Sequence, residues 1–273
     1  MPVVVEGFLW VAGRVPAARK GLWRAVFEIF ATYFRDVEFW TFMNYGYVQP
    51  TGEPELTLLE HDVRDRYAIQ LYHRVATGAD LRGLEVLDVG SGRGGGASYV
   101  KRYLGPRRVV GLDLAAAAVA FCRRVHRVPE LEFLQGDAER LPFPDAAFDA
   151  VINVESSFCY PSFARFVAEV RRVLRPGGHF LFADIRLRHE LEALHRSLAD
   201  SGLRVVAHTD ITRNVANALI LDSDYRASTG QRTAPWWLRR LFDVFLGVAG
   251  TRIPNQLQDG RMAYLVYRLD KAE

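Results

Sequence analysis

Three carboxylates and a cluster of glycines carry the strongest chemical signal in the chain. The run Leu87-Asp88-Val89-Gly90-Ser91-Gly92-Arg93-Gly94-Gly95 takes an apolar strand straight into a glycine turn. Gly90, Gly92 and Gly95 satisfy G-x-G-x-x-G, a spacing that lets a ligand come close to backbone. Asp88 precedes the first glycine by two residues. A carboxylate there would repel a pyrophosphate but suits a ligand bearing an ammonium group. Asp113 ends the next apolar run, about 20 residues after the turn, where a carboxylate can accept from both hydroxyls of a ribose. Asp137, in Gly136-Asp137-Ala138-Glu139, follows a third run and can accept from an adenine amino group. A single acid at a strand end is often a helix cap, but three at successive strand ends read as a ligand site.

The elements that must hold these residues follow from periodicity. Apolar runs predict strands at Glu85–Val89, Arg108–Asp113, Leu131–Gln135, Phe148–Val154 and His179–Ile185. Helices are expected between them, near Gly95–Leu104, Ala115–Arg124 and Phe163–Leu174, with Pro176-Gly177-Gly178 as a break. Such alternation predicts a parallel sheet covered on both faces. Before it, Ala17–Arg35 and Leu56–Ala76 read as helices. Trp23, Phe27, Phe30 and Phe34 share one face of the first, flanked by Arg19, Lys20 and Arg24, a pattern that fits packing on the main domain, contact with a membrane or cover over a greasy substrate. The stretch from Arg186 to Gly260 has helical texture, clearest at His189–Leu198 and Trp236–Leu246, and Met262–Leu269 reads as a final strand.

Composition limits the function classes. The 273 residues are 49% hydrophobic, 12% aromatic and 25% charged, as in ordinary globular domains. There are 35 basic and 32 acidic residues, for a net charge of +3. Only Lys20, Lys101 and Lys271 are lysines, and the arginines are scattered rather than gathered into a stripe, which argues against a nucleic-acid partner. Cys122 and Cys159 lie far apart without metal-ligand spacing, so the chain reads as cytoplasmic, with reduced thiols and no metal. The run Val3–Val5 is followed by Glu6 and preceded by no basic residue, unlike a secretion signal. No apolar stretch approaches the ~18 residues of a membrane span.

The motifs together resemble those of the class I S-adenosylmethionine-dependent methyltransferases. Leu84–Gly92 is similar to that family's first motif, Asp113 to its ribose acid, and Gly136–Glu139 to its adenine loop. Leu141-Pro142-Phe143, Phe148-Asp149 and Val170–Gly178 match the run into its fourth and fifth strands. Further likeness, to the phthiotriolone/phenolphthiotriolone dimycocerosate methyltransferases and to actinobacterial O-methyltransferases that tailor natural products, lies in Tyr72-His73-Arg74, Gly94–Tyr99, Asn153-Val154-Glu155, Cys159-Tyr160-Pro161 and Phe182-Ala183-Asp184. The resemblance implies an α/β, Rossmann-like seven-stranded sheet whose last strand is antiparallel. It implies an N-terminal helical cap at 1–80, a cofactor-binding core at 81–185, a helical lid insertion at 186–261 and a final core strand at 262–273.

It also implies S-adenosylmethionine as cofactor. Tyr45, His73, Asp88, Gly90, Ser91 and Gly92 would hold it together with Asp113, Leu114, Asp137, Ala138 and Asn153. Tyr45 belongs to Phe42–Tyr47, a segment such enzymes fold over the cofactor. Tyr47, Phe158 and Tyr160 would line an apolar acceptor pocket. For catalysis, relatives often place a histidine after the fourth strand and an aspartate at the end of the fifth. Asp184 stands at the second place. At the first the sequence reads Glu155-Ser156-Ser157-Phe158, without the histidine; Asp184 and Glu155 are the candidate bases, His189, His195 and His208 of the lid stretch could also reach the substrate, and transfer by proximity alone needs no base. The implied reaction is methylation of a hydroxyl on a hydrophobic polyketide, lipid or glycosylated product. Carbon methylation or cyclisation of a terpenoid or polyketide is the alternative that the missing histidine suggests. Peripheral membrane contact and a homodimer both remain open.

Overall fold

A computed structural model of the chain describes residues 16–233, 236 and 239–273. The run Val3–Val5, positions 237 and 238, and the side chains of Arg19, Lys20, Leu22, Trp23, Phe27 and Arg240 lie outside the described residues.

The expected parallel strands are β1 (Glu85–Val89), β2 (Arg108–Asp113), β3 (Leu131–Gln135), β4 (Phe148–Val154) and β5 (Leu174–Leu187). β6 (Arg204–Asp210) and β7 (Met262–Asp270) complete the sheet, and β7 runs antiparallel to both its neighbours. The order across the sheet is β3-β2-β1-β4-β5-β7-β6. Chain direction through the sheet reverses at β1, which lies between β2 and β4. In open sheets of this kind the crevice at that switch point, beyond the carboxyl ends of the strands, is where ligands bind.

Helices cover both faces. They are α1 (Pro16–Tyr33), α2 (Arg66–Ala76), α3 (Gly95–Tyr103), α4 (Ala116–Val125), α5 (Phe163–Val173), α6 (Leu191–Ala199), α7 (Thr212–Leu221), α8 (Ser223–Thr233), α9 (Arg239–Leu246) and α10 (Arg252–Gln258). Side chains alternate along each strand. Val86, Ala150 and Ile152 pack with Ile69 and Val75 of α2 and Val215 of α7, whereas Leu87, Val89 and Val151 pack with Phe166 and Val170 of α5 and Leu194 of α6. α5 shows why a sequence of this type becomes a core helix. Ser162 caps it by accepting from Arg165 N at 3.2 Å, and Phe166, Val167, Val170 and Val173 fall on one fully buried stripe. Each such side chain contributes about 1.5–3 kcal/mol.

Three local readings are corrected. The helical reading of 186–261 does not carry over to Arg204–Asp210, which is β6; every residue of that edge strand is exposed, so it lacks the alternation that marks a strand. β5 begins at Leu174 and runs through the Pro-Gly-Gly break, because Gly177 N and Gly178 O both bond Lys271 just beyond β7. Leu56–Leu59 is not helical; the segment enters α2 through a 3-10 turn at Glu60–Asp65.

α3 sits against α2 without room to spare. A Cβ on Gly96 would lie 1.8 Å from Tyr72 Cζ. Gly96→Ala is therefore expected to destabilise the fold by about 1–3 kcal/mol, the usual cost of overpacking. Urea unfolding measures it, and an unchanged midpoint would show that Tyr72 can yield.

Candidate active site

The cavity at the switch point is built from the ends of four strands. After β1 the chain turns through Gly90, Gly92 and Gly94, all with positive φ (73°, 53° and 81°), a region open chiefly to glycine. Gly90 N and Ser91 N donate to Leu112 O at 2.8 and 3.0 Å, tying the turn to β2. Asp113 locks it: Oδ2 accepts from Gly92 N at 2.8 Å and Oδ1 from Ala115 N at 2.9 Å. Gly136 N then bonds Asp113 O at 2.9 Å, bringing the Asp137 loop alongside. Asp137 Oδ1 accepts from Glu139 N at 3.0 Å.

The wall opposite comes from the end of β4. Glu155 adopts a left-handed backbone with φ of 50°. For a non-glycine residue this costs on the order of 1–3 kcal/mol, and such strain gathers at functional sites. Its two carboxyl oxygens accept from Tyr45 N at 2.9 and 3.1 Å. Burial pushes the carboxyl up to about 8, against the lowering effect of the Tyr45 N–H. Burial also raises Asp88 to about 7 and Asp113 to about 6.

Of the residues expected from the sequence, Gly90, Ser91, Gly92, Asp113, Leu114, Asp137, Ala138, Glu155 and Tyr160 line this cavity. Asp88, Asn153 and Tyr45 stand just behind its wall. Asp88 is fully buried, with Tyr72 OH 3.4 Å from Oδ2. Asn153 Nδ2 donates to Val89 O at 2.8 Å and Ser156 Oγ at 2.6 Å. Tyr45 contributes its backbone N–H.

Four other expected residues lie away from the cavity wall. His73 is turned to Tyr99, whose hydroxyl lies 2.7 Å from Nδ1, and burial lowers its pKa; it takes no part in the cavity wall. Tyr47 is packed into the core and bonds Tyr67 O through its backbone N–H at 2.9 Å. Phe158 lies outside the cavity lining, its N–H donating to Asp184 Oδ2 at 2.9 Å. Asp184 itself is sealed. Oδ2 accepts from Ser157 Oγ (2.5 Å), Phe158 N and Arg186 Nη1 (2.8 Å), and Oδ1 accepts from Ile185 N (2.8 Å). Enclosed by these four donors, Asp184 ties the loop after β4 to β5 and takes no part in the cavity wall.

Other lining residues come from Arg24, Phe30 and Ala31 of α1, from the strap Trp40–Asn44, and from Tyr72, Arg93, Ser156 and Cys159. Tyr72 is the neighbour of the residue first suspected, one position round the same helix. Arg93 was visible as the one charged residue inside the glycine turn. Arg24 and Phe30 belong to the amphipathic helix read from the sequence, but which of its residues reach the cavity depends on how the helix docks against Ala115 and Ala118.

The donors fit the cofactor that the resemblance implies. A Cβ on Gly90 would strike Ser156 Oγ at 2.3 Å, so the turn can only be bare backbone. Asp88 Oδ1, Ser91 Oγ and Asn153 Oδ1 are buried beside it with no protein partner, polar capacity of the kind that a bound polar ligand uses. Comparison with known proteins agrees. A methyltransferase domain model matches residues 87–182. The chain is 41% identical to a phthiotriol/phenolphthiotriol dimycocerosates methyltransferase of Mycobacterium tuberculosis, over 92% of this chain and 93% of that protein. It is 48% identical to a fatty-acid O-methyltransferase of Mycolicibacterium smegmatis, over 83% and 81%. Its fold is shared with the [4+2]-cyclase SpnF, with a TM-score of 0.73, 20% identity and coverage of 93% and 96%. The chain belongs to the S-adenosylmethionine-dependent methyltransferase family of these mycobacterial enzymes.

Two outcomes follow for cofactor binding. Asp88 and Asp113 bind protons more tightly than ordinary carboxylates when no cation is near, and a cationic cofactor favours their ionised forms. Affinity for S-adenosylmethionine should therefore rise with pH between about pH 6 and 8, with proton release. Calorimetry in buffers of different ionisation enthalpy reads this directly; a flat profile would contradict it. Asp113→Ala should weaken the cofactor at least tenfold, since charge-assisted hydrogen bonds are each worth about 1.5–3 kcal/mol.

Proposed function

We propose that this methyltransferase acts on an oxygen of a hydrophobic, lipid-like acceptor, with Glu155 as its base. The carrying observation is the pairing of one strained, buried carboxyl with an apolar roof. Phe30, Trp40, Phe42, Met43 and Tyr72 line the cavity around it. Phe242 of α9 closes the roof, with its ring 5.3 Å from Phe30, 4.6 Å from Phe34 and 5.3 Å from Trp40. In this reading the N-terminal cap and the helices between β6 and β7 enclose the acceptor's hydrocarbon part. The names of the relatives, which refer to dimycocerosates and to fatty acids, support an acceptor of that class. Among the described residues no helix is long and apolar enough to cross a membrane.

S-adenosylmethionine supplies an electrophilic methyl group. The chain supplies position and a proton acceptor. No histidine lines the described cavity, and Asp184 is sealed, so Glu155 is the acid at the end of β4 that faces the space. The Tyr45 N–H holds its carboxyl in one orientation, and the surrounding apolar side chains exclude water.

Two measurements test this. Labelled methyl transfer to a long-chain fatty acid and to a long-chain secondary alcohol should give methyl ester or methyl ether; a carbon-methylated or cyclised product would favour the alternative chemistry. Glu155→Gln should lower kcat by about 10²–10⁴-fold, the range for a general base, with S-adenosylhomocysteine affinity changed only a few-fold. Because burial raises Glu155 to about 8, its carboxylate form grows as pH rises, so the wild-type rate should climb through that region and the variant's should not. An unchanged rate in Glu155→Gln would remove Glu155 as base.

A further inference from the structure

The strap Trp40–Asn44 crosses the cavity, and two buried arginines hold its ends. Arg93, inside the glycine turn, donates Nε to Trp40 O at 2.5 Å, and Nη2 to Phe34 O at 3.1 Å and Val37 O at 2.6 Å. The last two carbonyls follow the end of α1, so the guanidinium acts as its charged C-cap. Its Cζ also lies 3.6 Å from the centre of the Phe121 ring on α4. At the other end Arg226, on α8, donates Nη2 to Asn44 O at 3.3 Å and Nη1 to Leu246 O, at the end of α9, at 2.9 Å. Nε pairs with Asp222 at 2.9 Å. Arg93 is 3% exposed and Arg226 7%.

A buried guanidinium is costly unless its donors are matched, and Arg93, whose Nη1 is already buried without a hydrogen-bond partner, depends the more on the bonds made by Nε and Nη2. Lifting the strap would strip Arg93 of its hydrogen bond to Trp40 in a site that water reaches poorly, and would take the Asn44 acceptor from Arg226. Partly open states are thereby disfavoured. The strap is thus fastened to the cofactor turn at one end and to the helices of the lid at the other.

We propose that Arg93 and Arg226 are positioning residues that fasten the two ends of Trp40–Asn44, so that the cofactor turn and the lid close as one unit. Filling the cofactor side then orders the acceptor side before any acceptor arrives. The proposal does not depend on what the acceptor is.

Amide hydrogen exchange on the full chain, with and without saturating S-adenosylhomocysteine, tests it. In the wild type the ligand should slow exchange in the glycine turn, the strap and α8 together, by roughly five- to hundredfold at α8, the usual range of intersite coupling. Arg226→Met should abolish the slowing in α8 while keeping it at the turn. Arg93→Met should abolish it in both strap and α8 while the ligand still protects the end of β2. Arg226→Lys and Arg93→Lys, which keep one donor, should give partial loss in the same segments, and they carry the test if a methionine variant does not fold. Slowing of α8 to the wild-type extent in all variants would overturn the proposal. So would a loss spread evenly over the sheet, since that is the mark of a merely structural role. Neither result depends on acceptor methylation, so failure here and failure of the lipid-acceptor reading are separable.

Discussion

Three carboxyl groups end three adjacent strands of the sheet. Asp88 belongs to β1, Asp113 to β2 and Glu155 follows β4, and those strands lie side by side. The sheet brings like charges into one dehydrated crevice, where burial opposes ionisation of each. Much of the surrounding architecture compensates for that crowding. Backbone N–H groups of Gly92, Ala115 and Tyr45 are aimed at the acids. A ligand with sulfonium and ammonium groups would favour the ionised forms of these acids, whereas a pyrophosphate would not.

The proposed acceptor side follows a different logic. Phe30 of α1 and Trp40, Phe42 and Met43 of the strap line the cavity, and Phe242 of α9 packs with Phe30, Phe34 and Trp40. In the proposed reading so apolar a surface would select an acceptor by its shape. The division of labour is clear at the loop after β4. Glu155 faces the cavity, whereas Ser157 and Phe158 turn inward to satisfy Asp184. The aspartate thus holds the loop that presents the glutamate.

Much of the cofactor site could be read from the chain, because its signals are local. Gly90, Gly92 and Asp113 are bound to positions in a strand-turn-helix unit whose geometry hardly varies. The five parallel strands were legible for a similar reason, four of them being apolar runs buried almost throughout and β3 alternating between buried and exposed residues. β6 was not, since an edge strand exposed throughout leaves no pattern in Arg204–Asp210. Nor could the sequence separate Glu155 from Asp184 as catalytic acids. Both are acids at strand ends, and only the packed structure shows one facing a cavity and the other enclosed by four donors.

What the sequence by itself determined, then, is the parallel part of the sheet, the glycine turn and the acids beside it. These depend on neighbours within one strand-turn-helix unit, where backbone conformation and side-chain type leave little choice. The segment Phe42–Tyr47 was already expected over that site, but tertiary structure decided which further residues join it there. Arg24, Phe30, Trp40, Arg226 and Phe242 come from segments up to about 200 residues apart in the chain. Their contacts form only because docking satisfies buried guanidinium groups and removes aromatic surface from water, driving forces that no local spacing of residues records.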